Sequence, residues 1–267
     1  MHCGQSPRYI PGQDVWRARP HWGCVMIRHL PSPAPRSVLM PALMLAIAVF
    51  VPAPAPAQPA EEAALQARIV ELAGRAQALA DVSAIKKLQR IYGFYLDAGR
   101  WDEAASLFAK EGSLEIGDDG VFVGPRRIGA YLSARRGGDD RLVYGQLNIH
   151  MQLQPVIHVA ADGRTARGRW RDFGLEGEYR HSASWGDGVY ENEYVKEAGV
   201  WKIARLRLYT NFVAPYEGGW TKLKPAPADW STPASRALGP DRPSSAETRP
   251  FPEVFVPPFH YAPGEEQ

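Results

Sequence analysis

Asp97 closes the stretch IYGFYLDAGRWDEAASLF (Ile91 to Phe108), and His150 lies inside LNIHMQLQPVIHV (Leu147 to Val159). The first stretch reads as an amphipathic helix ending on Tyr95-Leu96-Asp97, then a tight Gly99 turn into a second helix. The second reads as a strand, with Asn148, His150 and Gln152 on one face and Ile149, Met151 and Leu153 on the other. A carboxylate at a helix end and an imidazole on a strand can share one cavity and run acid–base chemistry without a cofactor. Asp97 either terminates its helix and no more, or pairs with His150. A carboxylate in a last turn opposes the helix dipole, so it needs a second reason to be there. The polar strand face, likewise, either lines a pocket or meets water. A neutral imidazole whose other nitrogen is held by a carboxylate is an effective general base near neutral pH.

Asp172, in RWRDFG, shares a strand face with Ala166, Gly168 and Trp170, while Arg167, Arg169 and Arg171 lie opposite. An acid among small and apolar neighbours is either a pocket residue or salt-bridged. Tyr92, Tyr95, Tyr190, Tyr209, Trp170 and Trp185 serve either as core or as walls of a pocket for a flat aromatic substrate, where a phenol can donate to a developing oxygen anion. Asn211 is a further polar candidate near the last of these strands. His158 and His181 lack a carboxylate partner by sequence and read as surface residues. The chain has no GxGxxG, P-loop, HExxH or G-x-S-x-G, and no His/carboxylate spacing that suggests a metal triad. Cofactor-free, metal-free proton transfer is what remains.

The elements that must position these groups are legible in the spacing. Leu65, Ile69, Leu72, Ala76 and Leu79 repeat at 4-3-4-3, a helix with a narrow apolar seam that docks on its own domain or on a neighbouring subunit. A second helix, capped by Asp81 or Ser83, presents Val82, Ile85, Leu88, Ile91, Tyr92 and Tyr95. Asp102 can cap a third, short one. Strands at Ser113 to Ile116 and Val121 to Val123 flank the hairpin signal Asp118-Asp119-Gly120, and Pro125 opens a helix through Ile128, Tyr131 and Leu132. After a polar loop, Arg135 to Asp140, four long strands follow: Leu147 to Ala160, Thr165 to Leu175, Ala183 to Lys196 and Val200 to Val213. Short connections make them an antiparallel meander, hence an α+β roll with helices on one face of the sheet. Beyond Gly218-Gly219-Trp220 the chain turns Pro-rich; Phe251, Phe255, Phe259 and Tyr261 suggest that part of this tail lies on the domain or on a partner, against the alternative of plain disorder.

The chain has 267 residues, 45% hydrophobic and 22% charged, with a formal charge of +2, and its basic clusters are scattered among acids. That composition argues against a nucleic-acid partner. Arg28 and Arg36 precede the apolar run Val38 to Val51, and Ala55-Pro56-Ala57 follows; this reads as a signal peptide cleaved after Ala57, against the rival of an uncleaved anchor. The expected product is periplasmic or secreted, with no membrane attachment after cleavage. Cys3 and Cys24 both precede that site, so no disulfide or thiolate is expected in the mature chain. The expected organisation is residues 1–57 as extension and signal peptide, 58–81 as an N-terminal helix, 82–220 as the domain and 221–267 as the tail.

YLDAGRWDEAASLF, the Gly124-Pro125 start of a third helix, and GVWKIARL (Gly199 to Leu206) resemble the SnoaL-like branch of the nuclear transport factor 2-like superfamily, roughly from Val82 to Phe212. The resemblance implies a cone-shaped α+β roll, a curved antiparallel sheet wrapped around N-terminal helices to enclose one apolar pocket. Members include ketosteroid isomerases, polyketide cyclases, dehydratases, lignin-dimer lyases that release formaldehyde, and non-catalytic binders. The dehydratase-like members place an Asp at the end of the first core helix to orient a strand His, positions held here by Asp97 and His150. Bile-acid dehydratases add an acid on the next strand, where Asp172 falls. Scytalone dehydratases carry Tyr directly before that Asp; here Leu96 stands there, with Tyr95 and Tyr92 behind it, and their late-strand Asn aligns near Tyr190. The resemblance also implies a homo-oligomer, dimer or trimer, and a small hydrophobic or aromatic hydroxylated substrate. The expected catalytic set is His150, Asp97, Asp172 and Tyr95, with Tyr92, Trp170, Tyr190, Tyr209, Asn211 and Trp185 binding substrate. An isomerase or cyclase with the same dyad, and a carrier without chemistry, are the alternatives.

Overall fold

The computed structural model describes residues 59–135, 141–223, 233–245 and 248–264, all within one compact unit, Pro56–Gln267. The expected signal peptide, its cleavage site after Ala57, Cys3 and Cys24 lie outside the described residues. Elements run α1 (Pro59–Asp97), α2 (Trp101–Ser106), β1 (Phe108–Ile116), β2 (Val121–Val123), α3 (Pro125–Arg135), β3 (Gln146–Val159), β4 (Thr165–Glu178), β5 (Ser182–Glu197), β6 (Val200–Pro215), a short 3-10 turn (Trp220–Lys222) and α4 (Pro233–Leu238). The strands form one curved sheet ordered β2-β1-β6-β5-β4-β3. The long-strand meander β3 to β6 is antiparallel as its short turns require, but β1 joins β6 in parallel, so the sheet is mixed. The α+β class holds.

One expected break is absent. A single helix of 39 residues runs from Pro59 to Asp97, through the boundary expected near Asp81. Asp81 is not a cap. Its Oδ1 accepts from Trp201 Nε1 at 2.9 Å, Lys196 Nζ at 2.8 Å and Gln77 Nε2 at 3.1 Å, so the carboxylate ties α1 to β5 and β6. No Gly or Pro lies between Arg75 and Tyr92, around the expected break, and an acid satisfied by three donors is tolerated inside a helix. N-terminal to that anchor, Leu65, Ile69, Val70, Leu72 and Leu79 stay exposed. Asp102 sits in the first turn of α2, whose cap position is Arg100.

Where α1 ends, Arg100 N donates to Tyr95 O at 2.8 Å and Gly99 N to Leu96 O at 3.1 Å, a paired closure with Gly99 in the left-handed region at φ +66°. A Cβ on Gly99 would meet Leu142 N at 2.7 Å. The core lies between the helices and the inner face of the sheet. Ile85, Leu88, Tyr92 and Leu96 from α1 and Ile128, Tyr131 and Leu132 from α3 pack on Leu114, Trp170, Tyr190, Tyr194 and Leu206.

The described part of the Pro-rich tail that runs from Phe251 to Tyr261 lies along the outer face of the sheet. Phe251 N donates to Asn211 O at 2.7 Å, the Phe255 ring lies 5.8 Å from Tyr209, and Arg169 sits 4.0 Å over the Phe259 ring. His158, expected to be a plain surface residue, meets this tail: its Nδ1 is 3.0 Å from His260 Nε2, whose other nitrogen is 2.9 Å from Glu191.

Candidate active site

The Schellman-type closure at Gly99 leaves Asp97 on the last turn of α1, facing β3. There Asp97 Oδ1 accepts the backbone N–H of His150 at 2.7 Å, which gives this dipole-opposed carboxylate its partner. One residue before it, the Leu96 carbonyl accepts Asn148 Nδ2 at 2.6 Å. Helix end and strand are thus clamped at two successive inward positions of β3. The His150 ring follows from that clamp: Nδ1 stands 3.7 Å from the same Asp97 oxygen. That distance is ion-pair range and longer than a hydrogen bond.

On the neighbouring strand, Gly174 lies opposite His150, Gln152 opposite Asp172 and Asn148 opposite Glu176. Inward alternation therefore sets an acid, a glycine and an acid beneath the ring. His150 Nε2 is 3.4 Å from Glu176 Oε1, and a Cβ at Gly174 would lie 4.0 Å from His150 Cδ2. Asp172 is buried, free of any salt bridge among the described residues, and accepts a hydrogen bond from Tyr190. Burial pushes its carboxyl up to about 6, against the opposing pull of His150 and the Tyr190 hydroxyl. Its Oδ1 and Asn148 Oδ1 are buried with no hydrogen-bond partner among the described residues. Such orphaned acceptors mark a place where a donor belongs.

These groups line one cavity of about 60 Å³, room for a few water-sized groups, with Leu96, Trp101, Ile116, Leu132 and Leu208 as apolar wall. Arg135, Asn148, Glu176 and Ser184 also line an outer bay toward Leu142 and Leu147, so the two are adjacent. Arg135, expected at the start of a polar loop, is instead a half-buried wall residue at the end of α3. Its Nε is 3.9 Å from Asp119 Oδ2, which also accepts the Tyr131 hydroxyl at 2.5 Å. Burial opposes the guanidinium charge, but Tyr131, Glu176 and Asp119 outweigh it and hold Arg135 charged. Burial also drives the Tyr131 and Tyr190 phenols upward, so both stay neutral donors.

Of the expected residues, His150, Asp97, Asp172 and Tyr190 come together, and Trp185 borders the same cavity. Tyr92, Tyr95, Trp170, Tyr209 and Asn211 lie away from it. Tyr95 is rotated by one helical position from Leu96 and stacks under Arg100, 5.2 Å from its ring, away from the cavity. Tyr92 is fully buried against Phe108 below the cavity. Trp170 is core, its Nε1 donating to Tyr194 at 2.9 Å. A bulge in β6, where Asp187 opposes Phe212 but Gly188 opposes Thr210, turns Asn211 to the outer face beside Tyr209. Asn211 Nδ2 there donates to Asp187 at 2.5 Å, and Tyr209 packs under Arg207, 4.4 Å away. Trp185 borders the cavity, yet its ring packs with Phe173, Phe212 and Trp220, the last at 4.6 Å. Glu176 and Arg135 were missed, although both carried a signal. Glu176 keeps the parity of Asp172 and Gly174, and Arg135 keeps the helical phase of Ile128, Tyr131 and Leu132.

The match to a known family covers residues 77–207, the helix end, both site strands and the first half of β6. This stretch is a SnoaL-like domain. Solved structures similar to it include a candidate scytalone dehydratase from Novosphingobium aromaticivorans, 20% identical over 53% of this chain and 91% of that one, TM-score 0.46. A hexachlorocyclohexane dehydrochlorinase from Novosphingobium barchaimii is 20% identical over 54% of this chain and 95% of its own, TM-score 0.47. A Mycobacterium tuberculosis protein of unknown function is 20% identical over 63% and 95%, TM-score 0.48. No curated protein sequence matches the chain. The dehydratase and dehydrochlorinase are lyases without this chain's substrate being implied, and likeness at this identity speaks to the fold alone.

Proposed function

We propose that the SnoaL-like domain is a cofactor-independent lyase that eliminates a hydroxyl from a small hydrophobic, aromatic alcohol. The observation that carries this reading is the meeting of His150 with the unpartnered oxygen of buried Asp172 in one apolar-walled cavity. One proton must leave carbon and one must reach the departing hydroxyl, and this pair can serve both ends. The inner cavity suits the reacting arm of such a substrate, with the aromatic body in the outer bay. Loss of water from a para-phenol alcohol gives a quinone methide, which then loses a proton or formaldehyde; a lignin-derived dimer is the substrate class of that second course. Export to the periplasm and assembly as a dimer or trimer belong to the same proposal.

A carrier without chemistry is the second reading, favoured by the 3.7 Å between His150 Nδ1 and Asp97. Turnover of phenolic and diaryl diols, followed by ultraviolet absorbance with a formaldehyde assay alongside, separates the two. The lyase reading expects conjugated product that is lost in His150→Ala and Asp172→Asn. Saturable binding without product, retained in both variants, would establish the carrier; an isomer as sole product would establish isomerisation by the same pair.

A further inference from the structure

We infer that His150 enters the reaction as the proton donor, an imidazolium held by Asp97 and Glu176, and that Asp172 is the base. The inference rests on the lyase reading above and assigns its two proton transfers. A neutral imidazole has one N–H and can donate on one side only; both nitrogens face carboxylates here, at 3.7 Å to Asp97 and 3.4 Å to Glu176. At these ion-pair distances a carboxylate on each side favours the positively charged ring over the neutral one. Every charged group around the ring bears on this. Asp97 comes from α1, Asp172 and Glu176 from β4, and Tyr190 from β5 meets Asp172 as a neutral phenol. Arg135 from α3 is the opposing cation, and it is drawn to Glu176 and Asp119. Asp187, which also acts on Asp172, has its carboxylate on Arg171, at 2.7 Å. Acids outnumber bases around the ring.

Asp172 is suited to the opposite task. Its Oδ1 is buried without a hydrogen-bond partner among the described residues, so one lone pair is available to a substrate hydrogen. Burial keeps it near neutrality, as a general base requires. In the step, the substrate C–H bond breaks and its proton passes to Asp172. The electron pair forms the C=C bond, the C–O bond breaks, and the His150 imidazolium protonates the departing hydroxyl to water. Asp172 is left protonated and His150 neutral, and transfer of that proton back to His150 restores both. Glu176 is a positioning residue that acts through the imidazole.

The test is the pH dependence of kcat/KM in wild type and Glu176→Gln, beside long-range proton–nitrogen spectra of histidine-labelled protein with His150→Gln for assignment. We expect both His150 ring nitrogens protonated at neutral pH, and a bell whose acid limb belongs to Asp172 and whose alkaline limb belongs to His150. Glu176→Gln then moves the alkaline limb down by about 1–3 pH units, the size expected for removing one adjacent opposite charge, and lowers the acid limb by less, because Glu176 faces His150 directly and adds only a lesser push to Asp172. An acid limb that falls further than the alkaline limb would make His150 the base and overturn the assignment. A neutral ring at neutral pH would overturn it too, and that reading needs no turnover, so its failure is distinct from failure of the lyase proposal.

Discussion

Asp172→Asn should make the protein more stable above neutral pH, and by an amount the structure sets. The carboxyl is held at about 6 in the fold against 3.8 for its ordinary value, chiefly by burial. A raised carboxylate value means that the folded chain binds the proton more tightly than the unfolded chain. Its stabilising contribution is therefore complete below about 3.8 and is lost as pH rises through 6. Above that, ionised Asp172 costs about 3 kcal/mol, from 1.36 kcal/mol per pH unit over the difference. Asn keeps the shape and an acceptor for Tyr190 but never ionises, so it removes most of that cost. Urea denaturation of both proteins at about pH 4.5 and pH 8 should give a stability difference that grows toward alkaline pH by about 2 kcal/mol, the part of the total that falls in this window. The same variant should lack turnover, a trade of stability against activity common at catalytic sites. A difference that is flat with pH, or an Asn variant that is less stable at alkaline pH, would refute the burial argument for Asp172.

Gly99→Ala should cost about 1–3 kcal/mol, because it combines a left-handed backbone with a Cβ pressed against the 141–142 backbone; thermal unfolding measures it. Asp81→Ala should cost about 2–3 kcal/mol in the same assay, since it strips the buried Trp201 indole N–H and Lys196 of their shared acceptor. His260→Ala should release the tail from His158 and Glu191, read as faster chymotryptic cleavage after Phe255 with the domain itself intact.

Much of the candidate site was legible because it is built from short periods. Alternation along Thr165 to Leu175 separates Asp172 from the arginines, and the Asp97-Ala98-Gly99 run marks a helix end that must leave a carboxylate near its terminus. The same periodicities, extended by one or two positions, contain Glu176 and Arg135. These were lost where a strand was ended at Leu175 and a loop begun at Arg135.

Other outcomes depend on residues far apart in the chain. Asp81 reads locally as a cap, but Trp201 and Lys196 satisfy it from the sheet, so α1 runs straight through. Tyr209 and Asn211 read as site residues, but Tyr209 alternates to the outer face, and the bulge opposite Asp187 and Gly188 keeps Asn211 there with it. The sequence by itself determined the elements, the α+β class and the two residues that the helix end and first site strand contribute, because those follow from backbone period and turn chemistry. Only the tertiary structure decided which polar groups share the cavity. That choice is made by sheet register, bulge position and the exclusion of water from Asp172, and none of these is a local property.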